Sequence, residues 1–177
     1  MQSRTRETEP AGTVRASRLS AELAAAAAGA RRRAVRDGER QADTAHLLHA
    51  LLEADPEACR VLAEGDAGQV GRLLGYLVQR TIGYGLRWSG SVEDSGALSR
   101  LPCDEVPGWS PAATAAMAGA LARARARGTG PATGTDLLAA LARDSRCRAA
   151  EVLGRAGVDT GRVTARLDAV SRHEQQG

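Results

Sequence analysis

Residues 20–52 read SAELAAAAAGARRRAVRDGERQADTAHLLHALL, and residues 110–142 read SPAATAAMAGALARARARGTGPATGTDLLAALA. Laid over one another at an offset of 90 residues, the two stretches follow one plan. Ser20 and Ser110 each open a long alanine-rich run, and Gly38 and Gly128 each end one. Leu47, Leu48 and Leu51 return as Leu137, Leu138 and Leu141. A second cycle follows at Val61-Leu62 and again at Val152-Leu153, where the offset has drifted by one. A duplication on this scale outranks any local motif, because it fixes the architecture before the details are read.

Working outward, the helix punctuation repeats as well. Ser20 is an N-cap with Glu22 in the first turn facing the positive helix end, and Gly38 is the stop. Thr44 is placed to cap a short helix striped by Leu47, Leu48, Leu51 and Leu52. Asp55-Pro56-Glu57 is a cap, a first-turn proline and a first-turn acid, so a third helix starts there. A fourth is predicted from Asp66 to Arg80, carrying Val70, Leu73, Leu74 and Leu77. In the second half, Ser110-Pro111 opens a helix and Thr133-Gly134-Thr135-Asp136 leads into the next. A third is predicted from Ser145 to Arg155, and Val158-Asp159 starts a last one with Val163, Leu167 and Val170. The expected fold class is all-α, a pseudo-twofold tandem repeat of two four-helix units. The expected organisation is a flexible tail over 1–18, a first repeat over 19–80, a linker over 81–108, a second repeat over 109–171 and a polar tail over 172–177.

Composition agrees. Of 177 residues 43% are hydrophobic, but Phe is absent and the aromatics are Tyr76, Tyr84, Trp88 and Trp109. Ala and Leu must fill the interior, and small residues suit close-packed helices better than a sheet. Every basic residue is Arg, and the net charge of +3 is too small to imply nucleic acid by itself. The first 18 residues are polar and no stretch is long and apolar enough to span a bilayer. Cys59, Cys103 and Cys147 form no paired pattern, so a soluble cytoplasmic protein with reduced thiols is expected. The joining segment is too rich in Gly and Pro for a regular helix. Its aromatics are expected to seal the seam between the units, and its paired acids, Glu93-Asp94 and Asp104-Glu105, to be solvated turn residues.

Little reactive chemistry is laid out. His46 and His49 are three apart, and with Cys59 could share a zinc ion. The second copy has Asp136 and Ala139 in their places, so no metal is expected, and His46 reads as a hydrogen-bonded residue near its helix entry. No Gly-x-Ser-x-Gly is present and the third histidine, His173, lies in the polar tail. Nucleophilic catalysis needs a base held beside Cys or Ser, so neither an enzyme nor a cofactor is expected. Arg31, Arg32, Arg33 and Arg36 cluster near one helix end, and Arg123, Arg125 and Arg127 near the other, where cations complement the dipole. The rival reading is a nucleic-acid-binding protein, but no aromatics are interleaved and no recognition helix stands out.

The order and spacing of these blocks resemble the N-terminal domain of the Clp unfoldases of the ClpA and ClpC type, over about residues 19–170. Leu19-Ser20 and Trp109-Ser110 stand where that family usually has Phe-Thr. Thr44-Ala45-His46-Leu47-Leu48 and Gly134-Thr135-Asp136-Leu137-Leu138 match its Thr-Glu-His-(Ile/Leu)-Leu, and Ala156-Gly157-Val158-Asp159 its entry to the last helix. The family's Glu is Ala45 in one copy and Thr135 in the other. In members that recognise phosphoarginine that Glu reads the guanidinium, so phosphoarginine binding is not carried over. With no Lys there is no Gly-x-x-x-x-Gly-Lys-(Ser/Thr), so nothing in the chain cradles nucleotide phosphates.

The resemblance implies a free-standing, non-catalytic binding module without the ATPase modules. In the family this domain receives adaptors and protein clients, and in actinobacteria it is also the target of cyclic-peptide antibiotics. The expected role is a decoy that holds such ligands, for stress protection or antibiotic self-resistance. The alternative is an adaptor or regulator that binds a Clp ATPase or peptidase directly. Leu19, Ser20, Ala27, Trp109, Ser110 and Met117 occupy family positions where the units meet and are the expected partner-binding residues. Trp109 is the principal anchor, since a large aromatic at a seam is the usual hot-spot type.

Overall fold

The computed structural model describes residues 18–64, 66–81, 93, 108–128 and 130–174. Within them lie four helices, α1 (Ala21–Asp37), α2 (Thr44–Ala54), α3 (Pro56–Ala63) and α4 (Gln69–Thr81). Four more follow, α5 (Pro111–Arg127), α6 (Gly134–Arg143), α7 (Arg148–Arg155) and α8 (Thr160–Glu174). The fold is all-α, as expected. The 1–17 tail and most of the joining segment, with Tyr84, Trp88, Cys103, Asp94, Asp104 and Glu105, lie outside the described residues. None of the described helices is long and apolar enough to cross a membrane.

The duplication is carried into packing. α1 buries Leu23, Ala26, Ala30 and Ala34, and α5 buries Ala113, Ala116, Ala120 and Ala124, position for position. These small faces let each long helix settle close on the next. A Cβ on Gly29 would come 3.1 Å from that of Ala50, and one on Gly119 3.2 Å from that of Ala140. α2 is buried from Thr44 through Leu52, and α6 buries Leu137, Leu138 and Leu141, so these two helices form the centre. Ser20 and Ser110 cap α1 and α5 by accepting from Leu23 N and Ala113 N, and Gly38 and Gly128 close them with φ of 69° and 77°.

Several helix starts differ from the sequence reading. Asp43, not Thr44, caps α2, because its carboxylate takes the His46 N–H at 2.8 Å while the His46 ring accepts the Asp43 N–H at 3.1 Å. α4 begins at Gln69 rather than Asp66, whose carboxylate turns back onto the Gly68 N–H. α7 begins at Arg148 rather than Ser145, with Cys147 as its cap. α8 runs to Glu174, past the expected end at Ser171.

The repeats are joined crosswise. Strand β1 (Gln41–Ala42), before α2, pairs in parallel with β2 (Gly108–Trp109), before α5. Ser110 N donates to Ala42 O at 3.0 Å. The symmetry-related contact is Ser20 N to Ala132 O at 2.8 Å, beside a Leu19–Ala132 bridge. Each repeat's first helix thus starts against the entry of the other repeat's second helix, which creates two equivalent corners.

Candidate functional site

At the first corner the N-termini of α1, α3 and α6 converge. A groove of about 770 Å³ opens there. Ser20 and Thr133 lie in its wall, with Pro56, Val61, Leu167 and Val170 supplying apolar surface. Glu22, Asp55 and Glu57 add acidic groups to its lining, and Arg123 and Arg127 line it as well. Val170 is 51% exposed, a large apolar side chain open to solvent. Asp55 caps α3 by accepting from Glu57 N at 2.9 Å and Ala58 N at 3.2 Å. Its other oxygen lies against the start of α6: a Cβ on Gly134 would stand 1.9 Å from it.

The arginines of the groove are held rather than free. Arg127 grips Asp136 through both terminal nitrogens, at 2.8 and 2.9 Å. Burial pushes the Asp136 carboxyl up, but Arg127 and the Thr133 N–H outweigh it and hold it below its usual value. Arg123 donates to Asp168 at 2.5 Å, and Arg143 reaches the same carboxylate at 2.7 Å. Such pairing neutralises much of the arginine cluster that sequence alone offers to a phosphate backbone. In the first repeat the pair equivalent to Arg127–Asp136 is Asp37–His46 at 3.2 Å, with the acid on the other helix.

At the second corner the N-termini of α2, α5 and α7 converge on Glu93. This side chain is 4% exposed, so Glu93 is not the solvated turn residue expected from sequence. Its Oε1 accepts from Thr44 N and from the Ser110 hydroxyl, both at 2.8 Å. Its Oε2 accepts from Arg148 N at 2.6 Å and from the Thr44 hydroxyl. Three helix starts present N–H groups or cap hydroxyls that need an acceptor, and one carboxylate meets them. Cys147 is a weak cap, with its Sγ accepting from Ala150 N at 3.4 Å, so the start of α7 has room for the carboxylate as a further acceptor.

The six expected partner-binding residues divide between the corners. Ser20 lines the groove, and Leu19 is half-buried beside it. Trp109 is half-buried at the second corner with the Arg31 guanidinium 4.8 Å above its ring, a cation–π contact. Ser110 is buried and bonded to Glu93. Ala27 and Met117 sit at equivalent places on α1 and α5, both half-buried. His46, His49 and Cys59 are not brought together as ligands: His46 faces Asp43 and Asp37, His49 faces Glu53, and the Cys59 thiol donates to Leu52 O. Glu39, Asp43 and His46 do cluster, but the Arg148 guanidinium is the cation there, 2.6 Å from Asp43.

No protein-family model matches the chain, and no curated protein matches it. Solved structures do. The Hsp104 N-terminal domain from Candida albicans superposes with a TM-score of 0.64 at 13% identity, over 84% of this chain and 88% of that one. A structure from a malarial protein secretion system gives 0.63 at 16% identity, over 87% and 95%. One described as a peptide from the SciI protein of the EAEC Sci1 T6SS gives 0.57 at 21%, over 92% and 95%. At these identities the likeness is one of fold. The chain has the Clp N-domain-like fold that its duplicated sequence resembles.

Proposed function

We propose that the chain is a non-catalytic module that binds segments of other proteins at its inter-repeat corners. The groove carries this reading. It is large, partly apolar and carries acidic side chains at the starts of α1 and α3, which is the form of a site that takes up a polypeptide segment. The Clp N-domain-like fold, shared with the Hsp104 N-terminal domain, supports the same class of function. Leu19, Ser20, Ala27, Trp109, Ser110 and Met117 remain the residues assigned to recognition, with Trp109 as anchor. The partners are protein clients or cyclic peptides, held as a decoy holds them. The reading in which the chain docks on a Clp ATPase or peptidase uses the same corners with a folded partner.

Fluorescence anisotropy with a labelled, permanently unfolded polypeptide tests it. Val170→Glu adds a charge to the open apolar wall and is expected to weaken binding by more than about tenfold, an effect of roughly 1.4 kcal/mol or more. Trp109→Ala is expected to do the same with helicity intact. Affinity unchanged by both substitutions removes the proposal.

A further inference from the structure

The C-terminal half of α1 carries more positive charge than the fold uses. Arg31, Arg32 and Arg36 on the helix, and Arg40 just beyond it, are exposed, and none forms an ion pair among the described residues. The acids around them are engaged elsewhere: Glu53 with Arg33, Asp37 with His46, and Glu39 and Asp43 with Arg148. Only Arg36 lies in the last turn, where the helix dipole favours a cation. Arg32 and Arg36 stand four residues apart, a like-charge spacing that disfavours the helix. The sister repeat does without all four arginines, having Leu121, Ala122, Ala126 and Gly130 in their places. Its own Arg123 and Arg127 are spent on Asp168 and Asp136. We propose that this face of α1, together with Trp109, docks an acidic segment of a partner protein. The proposal rests on the reading of Trp109 as an anchor and names the chemistry of what it anchors.

The arginines adjoin apolar surface. The Arg31 guanidinium lies over the Trp109 ring, and Val35, four residues on along the same side of the helix, is 52% exposed. Arg40 O accepts the Gly108 N–H at 3.2 Å, which ties Arg40 to the strand that carries Trp109. A segment that alternates carboxylates with apolar side chains satisfies both features. Its acids meet the free guanidinium groups, which take carboxylates through paired hydrogen bonds, and its apolar side chains cover Val35 and the exposed part of Trp109. A nucleic acid suits the face less well. Arg31 already occupies one face of the Trp109 ring, where a base would have to stack, and a phosphate backbone has no use for Val35. None of these residues lines the groove at the first corner, so the two surfaces can be tested apart.

The test titrates the full chain into a short labelled peptide of alternating glutamate and leucine, read by fluorescence anisotropy. Binding is expected, and it should weaken steeply between about 0.02 M and about 0.15 M salt, because the arginines are exposed. The double variant Arg36→Glu with Arg40→Glu is expected to weaken it by more than about tenfold. Arg125→Glu with Arg162→Glu makes the same change in net charge at exposed arginines elsewhere, and should alter affinity by less than about twofold. Circular dichroism checks that each variant keeps its helices. Should the charge reversal unfold the chain, Arg36→Gln with Arg40→Gln is expected to fold and still weaken binding. Val170→Glu, in the groove, should leave this peptide's affinity unchanged, so a failure of the groove reading shows separately. Three results would overturn the proposal: no binding of the peptide, equal losses in the two charge-reversed pairs, or tighter binding of an oligothymidylate than of the peptide.

Discussion

Gly134 shows how much one residue decides. It begins α6 at the point where Asp55 reaches across from the other repeat, and a Cβ there would lie 1.9 Å from the carboxylate and 2.7 Å from Leu51 Cδ1. Gly134→Ala must push Asp55 out of its cap or shift α6. It is expected to cost about 2–3 kcal/mol in urea unfolding, on the scale of core overpacking with loss of a cap. A cost below about 0.5 kcal/mol would mean that the corner is looser than described. In the sequence Gly134 is simply the residue where the other copy has Thr44. The reason for the exchange was illegible, because it lies in a carboxylate 79 positions away in the chain. Glu93 was hidden likewise. A lone acid in a Gly- and Pro-rich stretch looks like any turn residue until the unmet N–H groups of three helix starts are brought beside it.

Between elements, the alanine faces of α1 and α5 were legible, because a 3.6-residue period of small residues has one efficient use, close packing on a neighbouring helix. What this packing does to charge was not. It brings Arg33 and Arg36 of α1 toward His49 of α2, with Glu53 and Asp37 also facing the ring. Burial first, then Arg33, pushes the His49 imidazole from 6.5 down to about 4, against the pull of Glu53 and Asp37. The folded protein therefore keeps His49 neutral where the unfolded chain would take up a proton. Stability should be fully present above about pH 6.5 and fall as pH drops toward 4, with a slope approaching about 1.4 kcal/mol per pH unit. His49→Gln is expected to flatten this part of the stability–pH profile measured by urea unfolding. An unchanged slope would show that the ring is not held neutral by its burial against α1.

For the molecule as a whole, the duplication foretold two sets of four helices, and the structure pairs them through Ser20–Ala132 and Ser110–Ala42. The crosswise pairing itself could not be read from sequence, since it consists of backbone hydrogen bonds from two-residue strands that carry no periodicity. It has a functional consequence: each corner is built from both repeats, so the groove exists only where they meet. Equivalent corners have also diverged, one holding its own Glu93 and the other left open with Val170 exposed. Amide hydrogen exchange, with and without a saturating unfolded polypeptide, tests the central claim most directly. The account predicts slowed exchange concentrated at the groove, in residues 130–135 and 167–171, while the opposite ends of the helices are unchanged. Protection that spares those residues and appears elsewhere, or none at all under saturating conditions, would contradict it.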